Sequence, residues 1–340
     1  MKILHIANEF GLDAVGGATE AASRRFMEDV TKGDEAMFLC AECKMKQVPP
    51  NVIIAGGPFC RFLKRHVLRR VMRAVGCPLD ISLGIIPMGI GSVLKLFAPD
   101  RVCVHWIGKE CLRYEELARI SCPVTFFLHD FHLLESPAYR NETAWDRWVL
   151  RRIRNVLSNL NVDFEAPSQW VAAYLENILP NAAVRIRPSK IDPIFRLPTK
   201  NESRCCKSAN RKFRILFCCT GGRRNPYKGY ADLEKAIDLL PEALRKNSEV
   251  VVVGEDKLLT HVELRDMFYS ADCLAFPSLR ETQGLVKYEA LACGLPVVAY
   301  NRTACAEGIA HKVDGYIAAD GDVQDFARGL IWCSEARSAA

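Results

Sequence analysis

Apolar residues along this chain cluster in short runs that are separated by stretches with helical spacing. Seven runs precede residue 196, at positions 2–8, 36–40, 51–55, 101–107, 123–130, 162–168 and 182–189. Five more lie at positions 213–220, 248–254, 272–278, 296–301 and 314–319. Apolar strands that alternate with helices are typical of βαβ units, in which helices cover both faces of a parallel sheet. We therefore predict an α/β fold with one strand in each run.

A polar and basic segment at 196–212 interrupts this alternation of strands and helices. A chain of 340 residues is long enough for two domains of ordinary size. We therefore predict two tandem Rossmann-like domains, at 1–195 and 213–340, which 196–212 joins as a linker. Ligands of such sheets bind at the carboxyl ends of the strands, so the predicted site lies in a central cleft that both sheets face.

The composition is that of a water-soluble globular protein, with 49% apolar and 25% charged residues. No apolar run reaches the roughly 18 to 20 residues that span a bilayer, and the first residues lack the pattern of a secretory signal. We therefore expect a cytoplasmic protein. The net charge of +6 is modest and predicts no nucleic-acid partner.

The chain has 15 cysteines, many of them in the apolar strand runs. Because no secretory signal is seen, this placement favours reduced cysteines that act as small buried hydrophobic residues. Cys40 and Cys43 have metal-ligand spacing, but no second pair or Cys/His cluster lies near them in the sequence. We therefore interpret the pair as structural and expect no metal site.

Glycines follow the first predicted strand, at Gly11, Gly16 and Gly17, just before a helical pattern. Glycines at a strand-to-helix turn allow close backbone approach and leave N–H groups for a phosphate, although a tight turn explains them equally well. The dinucleotide fingerprint G-x-G-x-x-G is not completed here. That absence argues against one of the alternative functions, that of an α/β oxidoreductase.

Cations follow the first predicted strand of the second half. The run 213–220 ends in "GGRRNPYKG", which places Arg223, Arg224 and Lys228 before the next helix. Cations at a strand end can neutralise a diphosphate, with arginine as a planar fork and lysine as a point charge. A solvated basic loop is the alternative.

A second loop, "ETQGLVKYEALACG" at 281–294, places Glu281 before and Glu289 within the start of a predicted helix. The backbone N–H groups between these acids would attract an anion. Carboxylates near a helix N-terminus are stabilising without any function, so a pair of solvated glutamates is the alternative.

The order of these features resembles the retaining, nucleotide-sugar-dependent glycosyltransferases of the GT-B fold, specifically the family 4 group. Glu281 and Glu289 look like the signature glutamate pair of that family, with "GLV" and "EALACGLPVVA" in their usual surroundings. "GRRNPYKG" looks like the Gly-Arg-x4-Lys-Gly loop, which maps the diphosphate-binding pair onto Arg223 and Lys228. "VHWIG", "PVTFFLHDFHLL" and "HKVDGYIAADGDVQDFARGLIW" resemble a branch that assembles capsule and exopolysaccharide, including colanic-acid-type enzymes.

The resemblance implies a nucleoside-diphosphate sugar as donor, a glycan or lipid-linked saccharide as acceptor, no cofactor and no metal ion. It implies transfer with retention of anomeric configuration. Glu281 would lie near the transferred sugar and Glu289 on the ribose hydroxyls, while His129 matches a family histidine that contacts the sugar. The implied catalytic residues are Glu281 and His129. The implied donor-binding residues are Gly16, Gly17, Arg223, Lys228, Gln283, Gly284, Leu285, Val286 and Glu289.

The chain departs from that family at the segment after Gly254 and at its last residues. Only "KLLTHVE" separates "VVVVGED" from "LRDMFYSADC", where relatives carry contacts to the nucleotide base, and "CSEARSAA" follows "GLIW" where relatives continue. We therefore expect a shortened second domain. The alternative function is a non-catalytic GT-B domain that acts as a binding or scaffold subunit.

The segment at 60–77 combines apolar and basic residues at helical spacing. Its predicted apolar stripe consists of Phe62, Val67, Leu68, Val71, Met72 and Val75, flanked by six arginines and lysines. Such a helix is typical of an anionic membrane surface, which would place the protein on the inner face of the plasma membrane. A helix that packs against the core with a basic outer face is the alternative.

Overall fold

The computed structural model describes residues 1–13, 15–130, 135, 141–199, 202 and 211–339, apart from the side chains at 58, 61, 65, 338 and 339. The chain divides into two compact units, Met1–Pro188 and Ser189–Ala340. The division falls before the predicted linker at 196–212, in which 200, 201 and 203–210 lie outside the described residues.

The first unit contains a seven-stranded sheet of parallel strands in the order β3-β2-β1-β4-β5-β6-β7. Its strands are β1 (Lys2–Phe10), β2 (Glu35–Cys43), β3 (Val52–Ile54), β4 (Arg101–Val104), β5 (Val124–Phe127), β6 (Val162–Ala166) and β7 (Ala183–Ile186). Its helices are α1 (Gly17–Thr31), α2 (Pro58–Phe62), α3 (Arg69–Ala74), α4 (Ile90–Phe97), α5 (Ala144–Leu157) and α6 (Gln169–Ile178). A π-helical turn (Leu63–Leu68) joins α2 to α3, and a 3-10 helix (Tyr114–Arg119) follows β4.

The second unit contains a five-stranded parallel sheet in the order β12-β11-β10-β8-β9. Its strands are β8 (Phe213–Cys218), β9 (Ser248–Val253), β10 (Cys273–Phe276), β11 (Val297–Tyr300) and β12 (Gly315–Ala318). Its helices are α7 (Tyr230–Asp238), α8 (Glu242–Lys246), α9 (His261–Ser270), α10 (Leu285–Ala292) and α11 (Val323–Ala339). Three 3-10 turns lie at Gly222–Arg224, Pro226–Lys228 and Thr303–Cys305.

Every predicted apolar run contains one strand, and both sheets are parallel, so the predicted α/β fold is confirmed. The runs are continuous because the central strands are covered on both faces. In β1 the residues from Ile3 to Phe10 are all buried, and in β10 all four residues are buried. The apolar runs therefore predict the strands because the strand residues are buried, and the strand propensity of each single residue matters less.

The segment after β9 is short. Between Val253 and His261 the described chain forms neither a strand nor a helix. Thr260 then caps α9, because its hydroxyl accepts from the Glu263 N–H while the Glu263 carboxylate accepts from the Thr260 N–H. The loop therefore ends at Thr260, one residue before α9. This is the segment that the sequence predicts to be too short for the usual contacts to a nucleotide base.

The segment at 60–77 forms α2, the π-helical turn and α3, and the predicted apolar stripe is divided between two environments. Met72 is buried and Leu68 packs against the core of the first unit. Phe62, Val71 and Val75 are 55%, 49% and 52% exposed. None of the helices built from described residues is long and apolar enough to span a bilayer.

The thirteen cysteines in the described part of the chain are free thiols. Burial raises the pKa of Cys40 to about 12, so this thiol is protonated at neutral pH. Within the described ranges, no group of three or more His, Cys, Asp or Glu side chains is arranged to hold a metal ion.

Candidate functional site

An ion pair joins two of the predicted site residues in the second unit. Lys228 ends the 3-10 turn that follows β8, and Glu281 follows β10, the neighbouring strand. The Lys228 ammonium donates to Glu281 Oε1 at 2.6 Å. Burial lowers the pKa of Lys228, but the Glu281 carboxylate outweighs this effect and raises it above its ordinary value. The pair therefore keeps a positive and a negative charge side by side at the carboxyl edge of the sheet.

Glycine is required at the turn that brings Lys228 to this edge. Gly229 has φ of +67°, and a Cβ at this position would lie 2.0 Å from the carbonyl oxygen of Pro277. The turn therefore packs directly on the backbone that follows β10. A side chain at residue 229 would push the two strand ends apart.

A loop after β11 holds the backbone of Glu281. The Glu281 N–H donates to Thr303 Oγ1 at 3.1 Å, and the Ala304 N–H donates to the Glu281 carbonyl at 3.4 Å. Thr303 has φ of +45°, which is unusual for a β-branched residue. The loop thus adopts a strained conformation at the point where it contacts Glu281.

Lys287 holds the same loop through hydrogen bonds to its backbone. Its side chain on α10 is 0% exposed, and its ammonium donates to the carbonyls of Ala304, Cys305 and Glu307 at 2.7, 3.1 and 2.6 Å. Burial lowers the pKa of Lys287 to about 8. The three carbonyls occupy all three donors of the ammonium, so this charge has a structural role in holding the loop.

The N-terminus of α10 carries the predicted backbone donors. Gly284 precedes the helix with φ of +74°, and a Cβ there would lie 2.7 Å from the Phe276 ring. Leu285 and Val286 begin the helix, where helical geometry provides no acceptor for their N–H groups. These groups and the helix dipole favour an anion at this point.

Gln283 has a structural contact as well as a predicted role. Its side-chain oxygen accepts from the Ser189 N–H and its amide donates to the Ser189 carbonyl, both at 2.9 Å. The side chain is buried and holds the start of the second unit. Part of the hydrogen-bonding capacity of the Gln283 side chain is therefore used within the second unit.

Glu289 lies in α10 and is buried, at 7% exposure. Burial and, to a smaller extent, the charge of Glu289 raise the pKa of the Cys218 thiol. The carboxylate therefore lies near the end of β8, the strand that also leads to Lys228. The role on a ribose stays a prediction.

Arg223 and Arg224 follow β8 and have different neighbours. Arg223 donates to Glu255 Oε2 at 2.7 Å, and its guanidinium lies 5.4 Å from the centre of the Tyr230 ring. Arg224 pairs with Asp256 at 3.1 Å. Both side chains are exposed, at 51% and 65%, so they are available to a ligand in solvent.

In the first unit, Gly16 precedes α1 and Gly17 is its first residue. Gly16 has φ of −70°, and a Cβ there would meet no atom within 4 Å, so neither conformation nor space demands glycine. Glu9, at the end of β1, accepts from Thr19 Oγ1 at 3.2 Å and pairs with Lys109 Nζ at 3.1 Å. The start of α1 therefore lies beside an ion pair, and the donor-binding role of the two glycines stays a prediction.

His129, the predicted catalytic histidine, follows β5 and belongs to a row of three imidazoles. Its Nε2 lies 3.1 Å from Nδ1 of His105, and Nε2 of His105 lies 3.0 Å from Nδ1 of His5. Burial lowers the pKa of His129 to about 4. His129 is therefore neutral at physiological pH.

The structure thus brings Lys228, Glu281 and the start of α10 together in the second unit, while His129, Gly16 and Gly17 lie in the first. Sequence reasoning missed Lys287, His5 and His105. A signal existed for each, because a lysine interrupts the apolar helix "LVKYEALA" and a histidine interrupts each of the strands "KILHIAN" and "RVCVHWI". Polar residues at core positions need partners when they are buried.

The sequence of the second unit matches a known family. Residues 212–335 match the family described as "Glycosyl transferases group 1". Among curated proteins, a D-inositol 3-phosphate glycosyltransferase of Streptosporangium roseum is 40% identical over 68 residues, which are 20% of this chain and 16% of that protein. A protein of the same name from Thermobispora bispora is 27% identical over 183 residues, or 53% of this chain and 41% of that protein. The matches thus span less than half the length of either relative.

Solved structures share the fold of the chain. WaaG, a glycosyltransferase involved in lipopolysaccharide biosynthesis, gives a TM-score of 0.67 at 15% identity, over 99% of this chain and 95% of WaaG. Anabaena Alr3699/HepE in complex with UDP-glucose gives 0.64 at 17% identity, over 99% of this chain and 91% of HepE. The two parallel-sheet units therefore have the fold of GT-B glycosyltransferases. Similarity to the colanic-acid-type branch is not among these matches and stays a prediction.

Proposed function

We propose that this chain is a glycosyltransferase that uses a nucleoside-diphosphate sugar as its donor. The observation that carries the proposal is the Lys228–Glu281 pair beside the N-terminus of α10, within the segment that matches group 1 glycosyltransferases. A diphosphate needs cations and N–H donors, and a sugar needs hydrogen-bond acceptors. The second unit offers both kinds of group at one edge of its sheet.

The proposed reaction retains the anomeric configuration and uses no metal ion. As the bond to the sugar breaks, negative charge develops on the leaving diphosphate. Lys228, Arg223 and the start of α10 would stabilise this charge, which is electrostatic catalysis by groups that are already in place. Glu281 would contact the transferred sugar, and Glu289 would accept hydrogen bonds from the ribose. The proposed acceptor is a glycan or lipid-linked saccharide of the cell surface.

Donor binding tests this proposal most directly. We expect at least one of a panel of uridine, guanosine and adenosine diphosphate sugars to raise the melting temperature of the full chain in a buffer with EDTA. Lys228→Ala should weaken binding of that donor by about 10- to 100-fold, because a charge-assisted contact contributes roughly 1.5–3 kcal/mol. Release of the sugar from the donor, measured with and without saccharide acceptors, tests turnover.

Lys235→Ala is the matched control for this measurement. Lys235 lies on α7, close to Lys228 in the sequence, but it is exposed and pairs with Asp232. Its removal should leave donor affinity within about twofold, because exposed ion pairs contribute little. If no nucleotide sugar stabilised the protein and none were turned over, the enzyme proposal would be wrong.

A second candidate function is a non-catalytic binding or scaffold subunit with the same fold. The observation that favours it is the short connection from β9 to α9, which contains no strand or helix among its described residues. Donor binding without any sugar release or transfer would support this second function. Turnover with any donor would exclude it.

We further propose that the first unit docks on the inner face of the plasma membrane. Phe62, Val71 and Val75 are exposed apolar side chains, and the neighbouring Arg69, Arg70 and Arg73 are exposed as well. Apolar side chains can enter the headgroup region while arginines bind anionic lipids. The proposed location is therefore cytoplasmic and peripheral.

Sedimentation with vesicles tests the membrane proposal. We expect the chain to bind vesicles that contain phosphatidylglycerol and to bind neutral phosphatidylcholine vesicles more weakly. Reversal of Arg69 and Arg70 to glutamate should abolish most of this binding, at about 1 kcal/mol per cation near the surface. The control reverses Arg245 and Lys246, which are exposed on α8. Equal loss of binding in both variants would contradict docking through 60–77.

A further inference from the structure

Three imidazole rings form a continuous row in the first unit. His5 lies in β1, His105 directly follows β4, and His129 follows β5, and these three strands are neighbours in the sheet. The rings of His5 and His105 are nearly parallel, with 7° between their planes and centroids 5.3 Å apart, and those of His105 and His129 make an angle of 23° with centroids 5.4 Å apart. Their facing nitrogens are separated by 3.0 and 3.1 Å. Each contact therefore joins one nitrogen that carries a proton to one that does not.

A carboxylate stands at the other end of the row. Nε2 of His5 lies 3.4 Å from Oδ2 of Asp29, a residue of α1. Both side chains are buried, and neither atom forms a hydrogen bond with any described residue, so the contact between His5 and Asp29 is electrostatic. The carboxylate also lies near cations, with Arg25 Nε 3.7 Å from Oδ2 and Lys32 Nζ 3.4 Å from Oδ1.

The charge states of the row follow from these surroundings. Burial lowers the pKa of His5 by more than Asp29 raises it, and burial lowers that of His105 well below its ordinary value, so the two rings are neutral at pH 7. Burial opposes ionisation of Asp29, but the contact with His5 and the charge of Arg25 outweigh it and lower its pKa. Asp29 is therefore an anion, and an anionic carboxylate can only accept hydrogen bonds.

We infer that Asp29 sets the tautomer of His129 through His5 and His105. Because the anionic Oδ2 of Asp29 lies 3.4 Å from Nε2 of His5, it favours a proton on that nitrogen, which leaves Nδ1 of His5 as an acceptor. His105 must then donate from Nε2, which leaves its own Nδ1 as an acceptor for His129. His129 accordingly carries its proton on Nε2 and none on Nδ1. The direction of every hydrogen bond in the row follows from one carboxylate two rings away from His129.

This assignment defines what His129 can do, and its role in transfer rests on the proposed function. With Nδ1 unprotonated and the ring neutral, His129 accepts a hydrogen bond at Nδ1 and cannot donate one there. A hydroxyl group of a sugar is a donor of the matching kind. Asp29, His5 and His105 are thus positioning residues, since they act on a ligand only through His129.

Nitrogen NMR of the full chain, labelled with 15N-histidine, tests the tautomers without any substrate. At pH 7.5 we expect His5, His105 and His129 each to show a protonated Nε2 and an unprotonated Nδ1 in long-range 1H–15N correlation spectra. His129→Gln assigns the His129 signals by removing them. A His129 ring with its proton on Nδ1 in the wild-type protein would overturn the inference, whatever the variants do.

Asp29→Asn supplies the variant, because its side-chain amide can donate to His5 where the carboxylate could not. We expect the Nδ1–H tautomer of His129 to appear in Asp29→Asn and to remain absent in the control Glu28→Gln, the neighbouring acid of α1, which pairs with Arg25 and Arg187. In a buried carboxylate–histidine pair, such an Asp-to-Asn change inverts the tautomer and lowers turnover steeply. Unchanged spectra in Asp29→Asn would overturn the inference. Since donor binding is measured separately, failure of the proposed function leaves this test intact.

Discussion

The polar groups that are buried at the carboxyl edges of the two sheets have different partners. In the second unit, full charges are kept beside fixed partners: Lys228 contacts Glu281, and Lys287 contacts three carbonyls. In the first unit, the row from His5 to His129 is neutral, and one carboxylate orders it. One edge therefore carries paired full charges, and the other carries neutral rings whose proton positions we infer from Asp29.

This difference suggests a division of labour between the units. A diphosphate carries negative charge and requires cations, whereas a sugar hydroxyl requires a neutral acceptor or donor of the right direction. Charges respond to salt, while a buried neutral row is screened little. Donor affinity should therefore fall as ionic strength rises, and the tautomer of His129 should not change.

The largest expected effect is a loss of stability on replacing Lys287, whose ammonium holds the loop that contacts Glu281. Lys287→Met should destabilise the second unit by about 2–4 kcal/mol, because three buried carbonyls lose their donor. For units of this size, such a loss lowers the melting temperature by roughly 5–15 °C. Calorimetry or circular dichroism of the full chain measures this shift.

Lys246→Met is the control for stability, since Lys246 is exposed on α8 and pairs only with Glu242 in the part of the chain that the structure describes. It should shift the melting temperature by less than about 2 °C. If Lys287→Met were as stable as the control, the carbonyl contacts of Lys287 would contribute nothing. The loop that holds Glu281 would then need another explanation.

The sequence was sufficient for the fold and for the local parts of the charged edge. The strands follow from runs of buried apolar residues, and Lys228, Gly284 and Glu281 lie in two short loops whose residues are close in sequence. The residues of a short loop are close in space because they are close in sequence, so their shared location can be predicted. The division between the two units falls at Pro188 and Ser189, and Ser189 contacts the side chain of Gln283, which is distant in the sequence.

The neutral row could not be predicted, because its members are far apart in the chain. His5 and His105 are separated by 100 positions and meet only when β1 pairs with β4. Asp29 is one of several acids on α1, and nothing in its sequence neighbourhood marks it as the partner of a buried histidine. The sequence also could not show how the stripe at 60–77 is divided, since helical spacing does not reveal that Met72 is buried while Val71 is exposed.

The smallest expected effect separates two neighbouring arginines of the charged edge. Arg223 and Arg224 are both exposed and both paired with an acid, so burial and ion pairing do not distinguish them. Only Arg223 has its guanidinium over the ring of Tyr230, on the first turn of α7, the helix that follows Lys228. A guanidinium held on an aromatic ring loses less freedom when it binds a phosphate.

Arg223→Ala should therefore weaken donor binding by about 3- to 10-fold, and Arg224→Ala by less than about twofold, in titration calorimetry at low salt. Equal losses in the two variants would mean that the edge acts through its total charge, and the specific contact assigned to Arg223 would be wrong.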